Sequence, residues 1–136
     1  MAKITSSIKT EPYKVEIQSP SGNSILADEP ISKGGRDLGF SPKELLISAL
    51  SACTSATVKM YAERKEWDLQ EVKLEIELVD NTAEKKTLIK RNIELLGNLD
   101  QEQRTRLLRV AEACPIHKIL TGTIEIETEL KKEKYF

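Results

Sequence analysis

Five short stretches of the chain have the composition, or the period-two alternation of apolar and polar residues, that is typical of β-strands. Turn-forming residues separate the first two stretches, at 20–23, and the next two, at 80–82. Each of these two pairs is therefore expected to form an antiparallel hairpin. The five predicted strands are residues 13–18, 24–27, 72–78, 87–95 and 124–130.

A long helix is predicted to begin after Ser41, which can cap it, with Pro42 at the first helical position. Glu44 follows the cap by three residues, so its side chain can reach back and close a capping box. We expect this helix to pass Met60 and to end in the charged segment 63–66.

The predicted central helix has no charged side chain from position 45 to position 58, and Cys53 lies inside this uncharged run. Because apolar residues occupy nearly its whole circumference, the helix must be covered on every side. One small sheet and one further helix would struggle to cover it, whereas a second subunit would do so. The pattern therefore favours a homodimer.

A second helix is predicted after Asp100, with Gln103 at the capping-box position. The apolar residues that follow have helical spacing and place Cys114 on the apolar face of the last turn. Because Pro115 cannot continue that helix, we predict a new short helical turn at 116–120.

Together these elements indicate an α+β fold in a single domain over residues 1–136, with antiparallel sheets and a long, buried, central helix. The 21 basic and 22 acidic residues nearly cancel, so composition offers no argument for binding nucleic acid or an anionic membrane. The uncharged run of the central helix is shorter than the about 20 residues that a spanning helix needs. The amino end shows no basic-then-apolar leader, and we expect a cytoplasmic protein.

The two cysteines, Cys53 and Cys114, allow two interpretations. Each can be an inert buried thiol, since free cysteine is among the most buried residue types. Alternatively they are a redox pair, in which a thiolate attacks a peroxide and the resulting sulfenic acid condenses with the second thiol. Cys114 precedes Pro115 at a helix start, where free backbone N–H groups favour a thiolate, although a helix–proline corner explains that position equally well.

The segment SPKELLISALSAC and the later segment CPIHKIL resemble the two signature regions of the OsmC/Ohr family of thiol peroxidases. The order of predicted elements is also similar to that of the family. The resemblance implies an OsmC-like fold and an intertwined homodimer with both active sites at the subunit interface. It also implies reduction of organic hydroperoxides, with Cys53 as the attacking thiol, Cys114 as the resolving thiol and an external dithiol as reductant.

The family's hydroperoxide reductases also use an arginine that holds the thiolate, paired with a glutamate directly after the helix-start proline. Arg36, in the glycine-rich loop 28–39, is the candidate for the first role, and a solvated loop charge is the alternative. The second position departs from the family, since Lys43 follows the proline and Glu44 comes one residue later. One residue turns a helical side chain by about 100°, so Glu44 is a candidate arginine partner, a capping residue, or both.

His117 is the only histidine and follows Cys114 by three residues. A structural zinc site takes four ligands, and two cysteines with one histidine do not supply them, so we expect no metal and no cofactor. His117 is better interpreted as a residue that packs at the short helical turn. The departure at Lys43 leaves a second hypothesis open, a catalytically weak or inactive protein that binds a small lipophilic ligand at the dimer interface.

Overall fold

The computed structural model describes residues 1–81 and 83–131. Its strands are β1 (Thr5–Ile8), β2 (Val15–Gln18), β3 (Ser24–Ala27), β4 (Asp68–Asn81) and β5 (Lys86–Asn98). Its helices are α1 (Pro42–Arg64), α2 (Gln101–Glu112) and α3 (Pro115–Thr121), with a short 3-10 turn at Ile31–Lys33.

The strands form two antiparallel sheets, so the predicted α+β class is confirmed. One sheet has the order β1-β2-β3, and the other is the long hairpin of β4 and β5, in which Leu74 lies opposite Ile93. Both predicted hairpins are present. Strand β4 runs on to Asn81, into the predicted turn, and Thr82 of that turn lies outside the described residues.

The start of α1 has the predicted capping box. The Ser41 hydroxyl accepts a hydrogen bond from the Glu44 backbone N–H, and the Glu44 carboxylate accepts one from the Ser41 backbone N–H at 2.8 Å. This exchange satisfies two N–H groups that have no partner inside the helix. Helix α1 ends at Arg64, within the charged segment where its end was predicted.

One stripe of α1 enters the hydrophobic core. Its buried residues recur every fourth position: Leu50, Thr54, Val58 and Ala62. The last two of these pack in one cluster with four residues from β4, α2 and the position before the α2 cap: Leu69, Leu107, Ala111 and Leu99. By length and composition alone α1 could cross a membrane. In the described chain its buried stripe packs in the hydrophobic core.

A single chain leaves the opposite side of α1 uncovered. Met60 is 62% exposed, and Ala49, Ala52 and Ala56 on the same side are exposed as well. The sequence predicts that α1 is covered on every side, and the described residues of one chain do not cover it completely.

The predicted strand at 124–130 is wrong for the single chain. These residues have no regular secondary structure, and Ile126 and Leu130 are 84% and 97% exposed. The alternation of apolar and polar residues is real, but a strand also needs a neighbouring strand to complete its hydrogen bonds. No described strand of the same chain lies beside this segment, and residues 132–136 lie outside the described part.

Candidate active site

The two cysteines, distant in sequence, meet between α1 and α3. Cys53 projects from the middle of α1 and is partly exposed, whereas Cys114, the cap residue of α3, is fully buried. Both are free thiols, and adjacent residues of α3, Ile116 and His117, each donate a backbone hydrogen bond to one of the two sulfurs. The fold thus creates a dithiol centre with one accessible sulfur and one enclosed sulfur.

The first turn of α3 supplies one backbone N–H to each sulfur. The N–H of Ile116 donates to Sγ of Cys53 at 3.5 Å, and the N–H of His117 donates to Sγ of Cys114 at 3.4 Å. Pro115 occupies the first helical position and has no N–H, so Ile116 and His117 carry the free donors at this helix start. Each cysteine therefore has a donor that can stabilise a thiolate.

The Thr54 hydroxyl contacts both the Cys114 sulfur and the backbone of α1. Its Oγ1 is 3.8 Å from Sγ of Cys114 and 2.7 Å from the carbonyl oxygen of Leu50, one turn earlier. A hydroxyl carries one hydrogen, so Thr54 can donate to the carbonyl or to the sulfur, but not fully to both.

Arg91 of β5 brings a positive charge to this centre. Its Nη1 donates to Oγ1 of Thr54 at 3.0 Å, and its Nη2 lies 2.9 Å from Nδ1 of His117. Since a guanidinium only donates hydrogen bonds, Nδ1 of His117 is the acceptor and the proton of the neutral ring is on Nε2. The sequence interpretation gave His117 a packing role, and the structure gives it this polar contact as well.

The surroundings of Cys114 favour its ionised form. Burial raises the pKa of the Cys114 thiol, but several contacts act against burial and together hold that pKa below its ordinary value. These contacts are hydrogen bonds from the His117 N–H, from Thr54 and from Cys53, and the charge of Arg91. These contacts favour the thiolate of the buried sulfur over its neutral thiol.

Arg36, the arginine predicted from the sequence, lies elsewhere within the chain. Its side chain is 54% exposed and forms an ion pair with Glu11. Buried Asp28 shapes the loop that carries it, because the Asp28 carboxylate accepts hydrogen bonds from the backbone N–H groups of Glu29, Arg36 and Leu38. Within the described residues, neither cysteine has a hydrogen bond from Arg36.

Glu44 is the capping-box partner of Ser41 at the start of α1. Hydrogen bonds from the Ser41 backbone and hydroxyl hold the pKa of the Glu44 carboxyl below its ordinary value. The described ion pairs include none between Glu44 and Arg36. Lys43, at the position of the family's glutamate, instead forms an ion pair with Asp80 at 2.5 Å.

Thr54 and Arg91 were both missed in the sequence, although Arg91 left a signal. It lies between Ile89 and Ile93 on the apolar parity of β5, where a charge is out of place unless it has a buried partner. Thr54 is harder to notice, because a threonine beside a cysteine in an uncharged helix looks like one more small residue.

A cavity of about 410 Å³ adjoins the dithiol centre. Arg91 and His117 form part of its wall, and the remainder is mainly aliphatic, with Leu50, Ile89 and Leu108 among the lining residues. A small apolar molecule fits such a volume. Within residues 1–81 and 83–131, no group of three His, Cys, Asp or Glu side chains is arranged to hold a metal ion.

Comparisons with solved structures identify the same fold in other proteins. An OsmC like protein from Mycoplasma pneumoniae is 21% identical, with a TM-score of 0.76 over 90% of this chain and 88% of that one. A Psychrobacter arcticus protein, described as an osmotic stress induced and detoxification response protein, is 21% identical, with a TM-score of 0.76 over 88% of both chains.

The organic hydroperoxide resistance protein OhrB of Bacillus subtilis is 22% identical, with a TM-score of 0.62 over 96% of this chain and 98% of that one. No curated protein sequence matches the chain. The family model described as "OsmC-like protein" matches residues 34–129, which include both cysteines, Arg36 and Arg91. Since this match covers more than half of the 136 residues of the chain, the chain belongs to the OsmC-like protein family.

Proposed function

We propose that the protein is a thiol-dependent peroxidase that reduces organic hydroperoxides. The observation that carries the proposal is that successive residues of α3 donate one backbone N–H to Cys53 and one to Cys114. Two thiols that can bond directly are what a sulfenic acid needs in order to become a disulfide. Membership of a family that includes hydroperoxide resistance proteins supports the proposal.

Cys53 is the attacking residue, because it is the more accessible of the two sulfurs. Its thiolate attacks the terminal oxygen of the hydroperoxide, the O–O bond breaks, and the leaving alkoxide takes up a proton to depart as an alcohol. Cys53 becomes a sulfenic acid, having been oxidised while the peroxide is reduced.

Cys114 then resolves this intermediate. Its sulfur attacks the sulfur of the Cys53 sulfenic acid, the S–O bond breaks, and the oxygen leaves as water after it takes up a proton. The product is a Cys53–Cys114 disulfide, which an external dithiol reduces in two exchange steps. A cytoplasmic location, where thiols are kept reduced, suits this cycle.

We further propose a homodimer, with a second copy of the chain as the occupant of the uncovered surfaces. Three features support this partner: the exposed apolar side of α1, the alternating segment 124–130 without a neighbouring strand, and the amino-terminal sheet, in which all four residues of β1 are exposed. In such a dimer Arg36 would keep its proposed role towards Cys53 only if it reached the sulfur of the other subunit.

The test is consumption of tert-butyl hydroperoxide with dithiothreitol as reductant. We expect turnover by the wild type and a loss of at least about 100-fold in Cys53→Ser, since no nucleophile remains at the accessible position. Cys114→Ser should form one sulfenic acid per subunit, which dimedone traps.

A matched control separates the site from the mere presence of thiols. The double variant Cys53→Ser/Ser21→Cys carries two cysteines, one of them in an exposed turn, and should stay inactive. Equal rates in this variant and in the wild type would reject the proposed peroxidase, as would two unreacted thiols in the wild type after mild peroxide treatment, measured by mass spectrometry.

The apolar cavity favours one alternative, a protein that binds a small lipophilic ligand without catalysing a reaction. Its wall is mainly aliphatic and its volume is that of a small ligand site. Saturable binding of a fluorescent fatty acid to a protein that never consumes peroxide would support this alternative.

A further inference from the structure

Arg91 is a half-buried cation without a described carboxylate partner. It occupies an inward position of β5, and none of the ion pairs among residues 1–81 and 83–131 includes it. A charge withdrawn from water is costly unless hydrogen bonds and an opposite charge compensate it. Thr54 and His117 accept its hydrogen bonds, but both are neutral acceptors in this arrangement.

Besides Glu112, an exposed carboxylate that lines the same cavity, the group that can supply the opposite charge is the Cys114 sulfur. Oγ1 of Thr54 connects the two, at 3.0 Å from Nη1 of Arg91 and 3.8 Å from Sγ of Cys114. While Cys114 is a neutral thiol, the Thr54 hydroxyl donates to the Leu50 carbonyl at 2.7 Å. When Cys114 ionises, the hydroxyl can turn towards the sulfur while its lone pair still accepts from Arg91.

His117 contributes to the same arrangement with two different groups. Its backbone N–H donates to Sγ of Cys114, and its ring Nδ1 accepts from Nη2 of Arg91. The residue that binds the sulfur therefore also fixes the direction of the guanidinium. A fork of two hydrogen bonds, to Thr54 and to His117, holds Arg91 in one orientation.

We propose that Arg91 and His117 are positioning residues that hold Cys114 as a thiolate, so that the resolving sulfur is already ionised when the sulfenic acid forms on Cys53. Arg91 acts through Thr54, and His117 acts through its backbone N–H and by orienting Arg91. This inference rests on the proposed function for its use, because a thiolate is the species that attacks the sulfenic acid. The ionisation itself needs no peroxide and is a property of the folded, reduced protein. In this proposal Arg91 stabilises the thiolate of buried Cys114, whereas the family resemblance implies that Arg36 stabilises the thiolate of Cys53.

Charged and titratable groups approach Cys114 from each neighbouring element. Cys53 belongs to α1, Arg91 to β5 and His117 to α3, while Glu112 of α2 lines the adjoining cavity. A carboxylate disfavours a nearby thiolate, whereas the charge of Arg91 favours one. Arg91 is the positive charge among these groups, so its removal tests how far charge contributes to the ionisation of Cys114.

The experiment measures thiolate absorbance at 240 nm against pH in the Cys53→Ser protein, where Cys114 is the only thiol. Arg91→Met keeps the length of the side chain and removes its charge. We expect it to raise the titration midpoint by at least about one pH unit, a tenfold lower ionisation constant. Arg91→Lys keeps a charge but loses the fork, and should lie between the two. Arg109→Met, on the exposed face of α2, is the matched control and should leave the midpoint unchanged.

A double-mutant cycle tests the path through Thr54. If Arg91 acts through the hydroxyl, the shifts of Arg91→Met and Thr54→Val will sum to clearly more than the shift of the double variant. Additive shifts would overturn the path through Thr54. A midpoint within about 0.3 units of the parent in folded Arg91→Met would overturn the inference as a whole.

Folding and peroxidase activity are controlled separately. If Arg91→Met fails to fold, as judged by circular dichroism, Arg91→Lys and His117→Leu provide the decisive midpoints, because the first loses the fork and the second removes its acceptor at position 117. A protein that titrates as expected but consumes no peroxide would reject the proposed function and leave this inference standing. Peroxide turnover with an unchanged midpoint would do the reverse.

Discussion

The N–H of Ile116 donates a hydrogen bond to Sγ of Cys53 across 3.5 Å, although 63 positions separate the two residues. Because the neighbouring N–H of His117 serves Cys114, the short helix α3 holds both sulfurs in one place. The geometry of the dithiol centre therefore depends on the corner at Pro115 between α2 and α3.

The lowered pKa of Cys114 predicts a pH dependence of stability. A thiol whose pKa is lower in the folded state contributes stability that is fully present above the pKa of the unfolded thiol, about 8.5. That contribution is lost as the pH falls through the folded-state pKa. In reducing conditions, urea unfolding should therefore show the free energy of unfolding rising with pH up to about 8.5 in the wild type and in Cys53→Ser. Cys114→Ser should lack that part of the rise, and identical profiles in all three proteins would contradict the prediction.

Asp28 predicts a second pH dependence, at the acidic end. Burial raises the pKa of the Asp28 carboxyl, but hydrogen bonds from the backbone N–H groups of Leu38, Glu29 and Arg36 outweigh it and lower that pKa. Its stabilising contribution is therefore present above the unfolded pKa, about 3.9, and lost as the pH falls through the lower, folded-state value. Acid unfolding of Asp28→Asn should lose this dependence. Asp37→Asn, in the same loop but exposed, should keep the wild-type profile.

Truncating Leu107 should leave a cavity in the core and lower the free energy of unfolding. It is fully buried between α1 and α2, and Leu107→Ala should lower the free energy of unfolding by about 2–5 kcal/mol. The neighbouring Leu108 is 51% exposed, so Leu108→Ala should cost much less. Equal costs in urea unfolding would mean that the core is not centred on Leu107.

Gly97 lies opposite Leu69, next to the register shift between Leu69 and Glu71 of β4, and we expect its backbone to exclude other residues. Its φ is +143°, and a Cβ at this position would overlap the carbonyl oxygen of Asp68. Gly97→Ala should destabilise the protein by about 1–3 kcal/mol. Gly122→Ala is the control, since its Cβ would first meet an oxygen at 3.1 Å and its φ is −98°. Thermal unfolding of both variants provides the comparison.

The segment 124–130 predicts how the proposed dimer can be broken. If its apolar parity faces the second copy, Ile124→Lys and Ile126→Lys should convert a dimer into a monomer in sedimentation equilibrium. Glu125→Lys makes an equally large change on the opposite parity and should leave the dimer intact. A wild type that sediments as a monomer would reject the proposed dimer, and the loss of association in all three variants would reject the assigned parity.

Local sequence signals predicted the elements that carry the cysteines. Ser41, Pro42 and Glu44 marked the start of α1, and Asp100 with Gln103 marked the start of α2, because capping boxes are local structures. Pro115 likewise marked the corner after Cys114.

Features that depend on distant residues were less predictable. The contact of Arg91 with Thr54 and His117 joins three elements, and no local pattern encodes it. The ion pair of Arg36 with Glu11 depends on the path of a loop, which alternation and capping signals do not define. The segment 124–130 has the pattern of a strand, yet pairing needs a neighbour that one chain does not provide.

The two sheets share no strand, and this division has a consequence for local opening. The amino-terminal sheet has mostly exposed side chains, whereas α1, α2 and the base of the long hairpin enclose the buried cluster. Amide hydrogen exchange in β1 to β3 should therefore be faster than in the middle of α1, because less buried surface opposes its opening. We therefore expect the strands of the amino-terminal sheet to open before the elements that carry Arg91 and both cysteines.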